Sequence, residues 1–423
     1  MFNLYLFNES SRASVYGIGT YIRALSAALK NSAVNVCVVY LRSDKPQMET
    51  EETDGFKQWY IPAPGIPDRG TGQQANESYY RNVVYLLQLH ITDRENLIFH
   101  LNYWQGRPLV NELKRAFTCR VLFTIHYTGW GFSLSGNLSR LADILSRPEE
   151  QRDGFENSVA KDIEREKEMC LSVDRIAVLS HHMRAALDKF YHVTGDNISL
   201  VPNGLSDSPD TSTCDRESLR RNLLIPVHEK IIIFAGRLDD IKGVTFLIRA
   251  FRRITEQLPD CRMIIAGNGN FDGYMKEAGN ACSRIIFTGM VDRSRLYELY
   301  RLSDVGAVPS LYEPFGYVAT EMMMHGLPVV AAATSGLNEI VEDGVNGLKV
   351  PVIEHPDRVE IDPDLLAEKL LYMLQHPESA KQWGENARKR YLEKYSSEVF
   401  RDNMLSLYGS LYQQNNNLQK NKT

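Results

Sequence analysis

The 423-residue chain, 43% hydrophobic and 24% charged, is long enough to bury more than one globular core and suggests two or three domains. A formal net charge of −5 excludes a general polyanion binder, nucleic acid included, so any cationic site must be local. No apolar run approaches the roughly 20 residues of a membrane-spanning helix.

The start, MFNLYLFNES, lacks a basic leader and is interrupted by Asn3, Asn8 and Glu9, so it reads as a first strand rather than a signal peptide. Short apolar runs then alternate with helix-period segments: a helix from Gly17 to about Lys30, VNVCVVYL (34–41), a polar stretch to Gln58, NLIFHL (96–101), a helix after Arg107, RVLFTIH (120–126), DRIAVLS (174–180) and ISLVPN (198–203). This is β-α-β patterning and predicts a parallel sheet flanked by helices over residues 1–205. Residues 130–172 differ, Gly/Ser-rich first and highly charged afterwards, and predict a loop followed by a helix. RPLVNELKRAF (107–117) is mildly basic and leaves a peripheral membrane contact open, although a solvated helix face explains it more simply.

SDSPDTSTCDRES (206–218) has linker composition. A second β-α series follows: KIIIFAG (230–236), a helix over 243–257, RMIIAG (262–267), RIIFTG (284–289), a helix over 293–302, VGAVPS (305–310), PVVAAA (328–333) and NGLKVPV (346–352). After Pro363 only helical patterns remain. The six cysteines, Cys37, Cys119, Cys170, Cys214, Cys261 and Cys282, form no C-x-x-C pair and read as free thiols in a reducing compartment.

The most informative stretch is SLYEPFGYVATEMMMHGLPVV (310–330). A buried strand ends at Pro309 and a helix begins at about Phe315 or Gly316, so free N–H groups near Phe315, Gly316 and Tyr317 face the loop mouth and favour an anion. Glu313 precedes that helix and Glu321 lies in its second turn. Carboxylates beside an anion site suit sugar hydroxyls, since each can accept two diol protons. Phosphate plus sugar suggests a sugar nucleotide. In FAGRLDDIKGV, Arg237 follows a strand and Lys242 precedes a helix, two cations where a diphosphate would sit; ordinary surface charge explains either alone. Gly267 and the backbone at Met290 and Val291 end the next two strands, where plain β-α turns are an equal account. Gly17 and Gly19 open the first long helix, and His126 closes a strand; a turn and a structural histidine are the simpler readings of each in isolation.

Together with Gly336 and Asn338-Glu339-Ile340, residues 310–330 resemble the E-x7-E donor segment of retaining GT-B glycosyltransferases, in particular glycosyltransferase family 4 (glycosyl transferases group 1). The resemblance implies an α/β, GT-B architecture: two Rossmann-like doubly wound domains facing a cleft. Residues 1–205 would form the acceptor-side domain, with a C-terminal helix over about 396–415 crossing back to it. Residues 206–395 would form the donor domain. It assigns the pyrophosphate to Arg237 and Lys242, the distal phosphate to the Gly19 amide and less firmly Gly17, the base to loops at Gly267, Met290 and Val291, the donor sugar to Glu313, and the ribose diol to Glu321. His126 becomes a catalytic-centre residue beside the transferred sugar; His100 and His325 stay core or loop residues. The implied activity is metal-independent, cofactor-free, retaining transfer from a nucleoside-diphosphate sugar to a glycan, lipid-linked or other acceptor, in the cytoplasm or peripherally at the inner face of the membrane. Asp239-Asp240 is rejected as a metal pair. Many relatives read E-A-M-A-x-G where this chain has Glu321-Met322-Met323-Met324-His325-Gly326, which implies repacking beneath the site. A sugar-nucleotide epimerase and an inactive sugar-nucleotide-binding regulator remain as alternatives. Acceptor choice is expected to reside in residues 42–82 and 130–172.

Overall fold

The computed structural model describes residues 1–9, 17–53, 55–64, 72–208 and 216–420. Cys214 and most of the linker 206–218 lie outside the described residues. The apolar runs form strands because both faces are covered, as in Leu97–Leu101, where all five residues are buried. The chain divides into two compact units. One contains Met1–Thr128, Asp153–Ser206 and the chain from Ser397 onward; the other contains Gly129–Arg152 and Asp207–Ser396.

The first unit holds eight strands: β1 (Phe2–Glu9), β2 (Val34–Ser43), β3 (Glu49–Thr53), β4 (Phe56–Pro62), β5 (Leu97–Leu101), β6 (Cys119–Ile125), β7 (Arg175–Val178) and β8 (Ile198–Leu200). Their order is β3-β4-β2-β1-β5-β6-β7-β8, parallel except for the β3–β4 pair. The chain reverses its winding between β1 and β5, a switch point that opens a crevice at the carboxyl ends of those strands. The stretch expected to be simply polar up to Gln58 instead supplies the β3–β4 hairpin. ETEET reads as solvated because four of its five residues are exposed on an edge strand.

The helix Ser397–Lys420 packs against the helix Gly17–Leu29 within this unit. Tyr408 explains the attachment: its hydroxyl lies 2.9 Å from Nδ1 of the fully buried His100, whose Nε2 lies 2.7 Å from Thr124 Oγ1. His100 is thus a core residue, as the sequence suggested.

The second unit holds β9 (Lys230–Ala235), β10 (Cys261–Ala266), β11 (Ile285–Gly289), β12 (Val305–Val308), β13 (Val329–Ala333), β14 (Gly347–Glu354) and β15 (Val359–Ile361), ordered β11-β10-β9-β12-β13-β14-β15. All pairs are parallel except β14–β15. Here the switch point falls between β9 and β12.

Residues 129–152, expected within the first domain, belong elsewhere, while the boundary near 205 holds. They form helices Gly129–Ser133 and Leu138–Ser146 and a short 3-10 turn, and they belong to the second unit. Aromatic packing carries them there: Trp130 and Phe132 place their rings 6.0 and 5.7 Å from that of Tyr312, and a Cβ on Gly131 would overlap the Tyr312 ring. Asn137 donates to the His355 carbonyl at 2.7 Å. The long helix Gly154–Ser172 returns to the first unit, started by a capping box between Asp153 and Glu156.

Candidate active site

Two loops dominate the β9–β12 switch point. After β9 the chain turns at Gly236, passes Arg237 and reaches Lys242 in the short turn Asp240–Lys242 before the helix Val244–Gln257. After β12 it runs through Pro309 to Glu313 and enters the helix Tyr317–Met324. Hydrogen bonding ties the loops together, since Leu311 N–H donates to the Ile241 carbonyl at 2.8 Å. Gly243 has φ 70°, and a Cβ there would overlap the Pro309 carbonyl oxygen. Only glycine allows this approach without strain.

The approach sets the charges. Lys242 Nζ donates to Glu313 Oε2 at 2.5 Å, with both side chains 19% exposed. Arg237 pairs with Asp239 at 3.1 Å. Each cation therefore already has an anionic partner. Among the described residues no group of three or more His, Cys, Asp or Glu side chains is arranged to hold a metal ion.

Gly316, with φ 117°, caps the helix that begins at Tyr317. The Gly336 N–H donates to the Glu313 carbonyl at 2.9 Å, and a Cβ on Gly336 would overlap the backbone of Pro314 and Phe315, so a third loop, after β13, braces the Glu313 turn. Glu321 is buried and accepts a 3.3 Å hydrogen bond from Tyr300 Oη. Burial pushes its carboxyl above the ordinary carboxylate value, against the lowering influence of Arg293 and Tyr300. Tyr300 was not foreseen; it lies 21 residues before Glu321, on another helix, and no local pattern links them. The methionines do lie beneath the site: Met322, Met323 and Met324 are buried, and a Cβ on Gly306 of β12 would meet Met322 Sδ. His325 packs its ring 4.6 Å from that of Tyr297, also within this layer.

Gly267 lies in the same unit, interlaced with Gly236: Gly236 N–H donates to the Ala266 carbonyl and Gly267 N–H to the Gly289 carbonyl, each at 2.9 Å. A Cβ on Gly267 would overlap the Gly236 carbonyl oxygen. Met290, 57% exposed, and the half-buried Val291 follow β11. The structure thus gathers Arg237, Lys242, Glu313, Phe315, Gly316, Tyr317 and Glu321 around one switch point, with Gly267, Met290 and Val291 on the adjoining strand ends.

Gly17, Gly19 and His126 belong to the first unit. Gly17 and Gly19 occupy the first turn of the helix Gly17–Leu29, where backbone N–H groups have no intrahelical acceptor. His126 follows β6, with Nε2 3.0 Å from Asn102 Oδ1 and its ring edge-on to Tyr21 at 4.5 Å. Burial lowers its pKa to about 3, so the imidazole is neutral at physiological pH. At the β1–β5 switch point, Tyr103 donates to Asn8 at 2.7 Å and Asn102 to the Phe7 carbonyl at 3.0 Å.

Two doubly wound units, the second with charged loops at its switch point, define a GT-B glycosyltransferase fold, and solved structures agree. Sucrose-phosphate synthase from Thermosynechococcus elongatus superposes with a TM-score of 0.75 at 23% identity, over 97% of this chain and 99% of that one. Anabaena HepE in complex with UDP and glucose gives 0.69 at 17%, over 97% and 100%. In sequence, residues 16–204 match the glycosyl transferase 4-like domain and residues 215–390 the glycosyl transferases group 1 model. A D-inositol 3-phosphate glycosyltransferase of Corynebacterium glutamicum is 30% identical over 313 residues, 71% of this chain and 69% of that protein. An uncharacterized glycosyltransferase of Methanocaldococcus jannaschii is 30% identical over 246 residues, and the match spans 55% of this chain and 59% of that relative's length. The chain belongs to the glycosyl transferases group 1 family.

Proposed function

We propose that this chain is a retaining, metal-independent glycosyltransferase that moves a sugar from a nucleoside-diphosphate sugar to a hydroxyl acceptor. The observation that carries the reading is the convergence of Arg237, Lys242, Glu313 and Glu321 on the β9–β12 switch point, the place where open α/β sheets bind ligands. A diphosphate entering there exchanges Asp239 and Glu313 for its own oxygens as partners of Arg237 and Lys242. Glu313, released from Lys242, becomes an acceptor for donor-sugar hydroxyls. The buried Glu321 takes the ribose diol, with Tyr300 holding its second oxygen in place.

In the reaction the anomeric C–O bond breaks and its electron pair leaves with the diphosphate. Arg237, Lys242 and the N–H groups at the start of the helix Tyr317–Met324 stabilise that departing charge. The acceptor oxygen bonds the anomeric carbon on the face the diphosphate leaves, and its proton passes to a departing phosphate oxygen. His126, neutral at physiological pH, is proposed as an uncharged hydrogen-bonding group for the transfer. Names among the relatives support a phosphorylated polyol or sugar as acceptor, D-inositol 3-phosphate glycosyltransferase and sucrose-phosphate synthase among them.

The test is a screen of labelled UDP-, GDP- and ADP-sugars with polyol phosphates, sugar phosphates and lipid-linked glycans, reading acceptor-dependent nucleotide release. Transfer with retained anomeric configuration by NMR, undiminished by exhaustive chelation, is the expected result. Change of the donor sugar without acceptor would indicate an epimerase, and loss of transfer on chelation with recovery on adding Mn²⁺ or Mg²⁺ would overturn the metal-independent reading.

A further inference from the structure

A concavity of about 680 Å³ lies in the second unit away from these loops. It opens at the opposite edge of the sheet, where strands begin: Lys230 is the first residue of β9, Asp304 leads into β12 and Pro328 into β13. Six residues of β9 separate Lys230 from Gly236, roughly 20 Å at about 3.3 Å per residue, so Lys230 lies far from the Arg237 loop, although Tyr300 and Met324, beside Glu321, also line the concavity. Its volume falls within the roughly 300–1,000 Å³ of small-molecule sites.

The charge in its walls is unbalanced. Arg216, Lys230, Arg301, Lys381 and Arg388 line it against two carboxylates, Asp304 and Glu385. Asp304 is already saturated, accepting from Arg216 at 2.7 Å, Arg220 at 2.8 Å and the Ile231 N–H at 2.7 Å. Arg388 is held by Asp207 through two bonds of 2.6 and 2.7 Å. The ammonium groups of Lys230 and Lys381 have no ion-pair partner among the described residues. The lining also includes the apolar side chains of Met324, Leu327, Met373 and Leu374.

A concavity lined by surplus positive charge and by hydrocarbon suits a compact dianion carried on a carbon skeleton. We propose that this pocket binds a small phosphomonoester, with its phosphate at Lys230 and Lys381 and its organic part against Met324, Leu327 and Met373. A monocarboxylate would leave the lysines under-neutralised. Sugar phosphates and nucleoside monophosphates share this chemistry.

Calorimetric titration of the full chain with glucose 6-phosphate, UMP and inorganic phosphate tests the site and separates the two sources. The wild type and Arg237→Ala are expected to bind at least one of the organic phosphates alike, the tighter of the two naming the source. A Lys230→Glu, Lys381→Glu double variant is expected to bind it at least about tenfold more weakly, with inorganic phosphate weaker throughout. Should charge reversal disturb the melting curve, the paired Lys→Gln changes take its place. Binding that survives the double variant and disappears in Arg237→Ala would overturn the proposal. So would inorganic phosphate binding as tightly as the organic probes, or no binding of either organic probe at millimolar concentration.

Discussion

At the carboxyl edge of the second sheet the polar side chains carry full charges in pairs, Lys242 with Glu313 and Arg237 with Asp239. At the corresponding edge of the first sheet they are neutral, Tyr103 with Asn8 and His126 with Asn102, and burial pushes the adjacent Glu9 toward its protonated form. The two sheets share a winding rule and differ in what their switch points offer. Part-buried ion pairs can be exchanged for a diphosphate with each cation keeping an anionic partner, while the released carboxylates need hydroxyl donors in their place. A neutral wall offers hydrogen bonds without a fixed charge.

The largest expected effect tests the charged edge. Arg237→Ala and Lys242→Ala should each lower kcat by about 10²–10³-fold, as removal of a preorganised group stabilising transition-state charge does. Steady-state assays at saturating donor check this, and unchanged turnover in both would dissolve the contrast between the edges. Next comes the neutral edge: His126→Ala is expected to cost about ten- to a hundredfold in kcat/KM, the scale of one or two lost hydrogen bonds.

The same histidine makes a pH prediction. Its folded pKa of about 3 lies below the usual 6.5, so its contribution to stability is present above pH 6.5 and is lost as pH falls toward 3. Acid melting curves of His126→Asn should be flatter over that range, while the fully buried His100 retains its share of the slope. Glu321 has the opposite sign. Its carboxyl is raised above 4.5, so the associated stability is present at pH below that value and is lost as pH rises through the folded pKa. Glu321→Gln should therefore weaken donor binding by about tenfold while melting no lower than wild type at neutral pH. A large fall in its melting temperature would mean that the ionised carboxylate is structural. The smallest effect is expected at the rim: Met290→Ala, at an exposed position, should leave stability within about 0.5 kcal/mol and alter only the preference among nucleotide bases.

The donor-side loops were legible because each depends on a few adjacent residues: a buried run, a glycine, a cation or carboxylate, and a helix start. Glu313 and Glu321 fall on either side of the Gly316 cap for that local reason. Gly243 could be read as a helix start but not as the point where the β9 loop touches Pro309, since that meeting joins residues 66 positions apart. Tyr300 stayed hidden for the same reason. Residues 129–152 were misassigned because composition reports a loop without reporting whose surface it covers; the decision lies in the Trp130, Phe132 and Tyr312 rings. The β3–β4 hairpin was missed because an edge strand needs no buried face, and charge there blunts pairing with other chains.

The helix Ser397–Lys420 has a consequence in time as well as space. It completes the unit that the chain begins with, by way of Tyr408 and His100, only after the about 190 residues of Asp207–Ser396 have been made. At roughly 5–20 residues per second that interval is about 10–40 s. Throughout it His100 waits without Tyr408, while its other ring nitrogen already has Thr124.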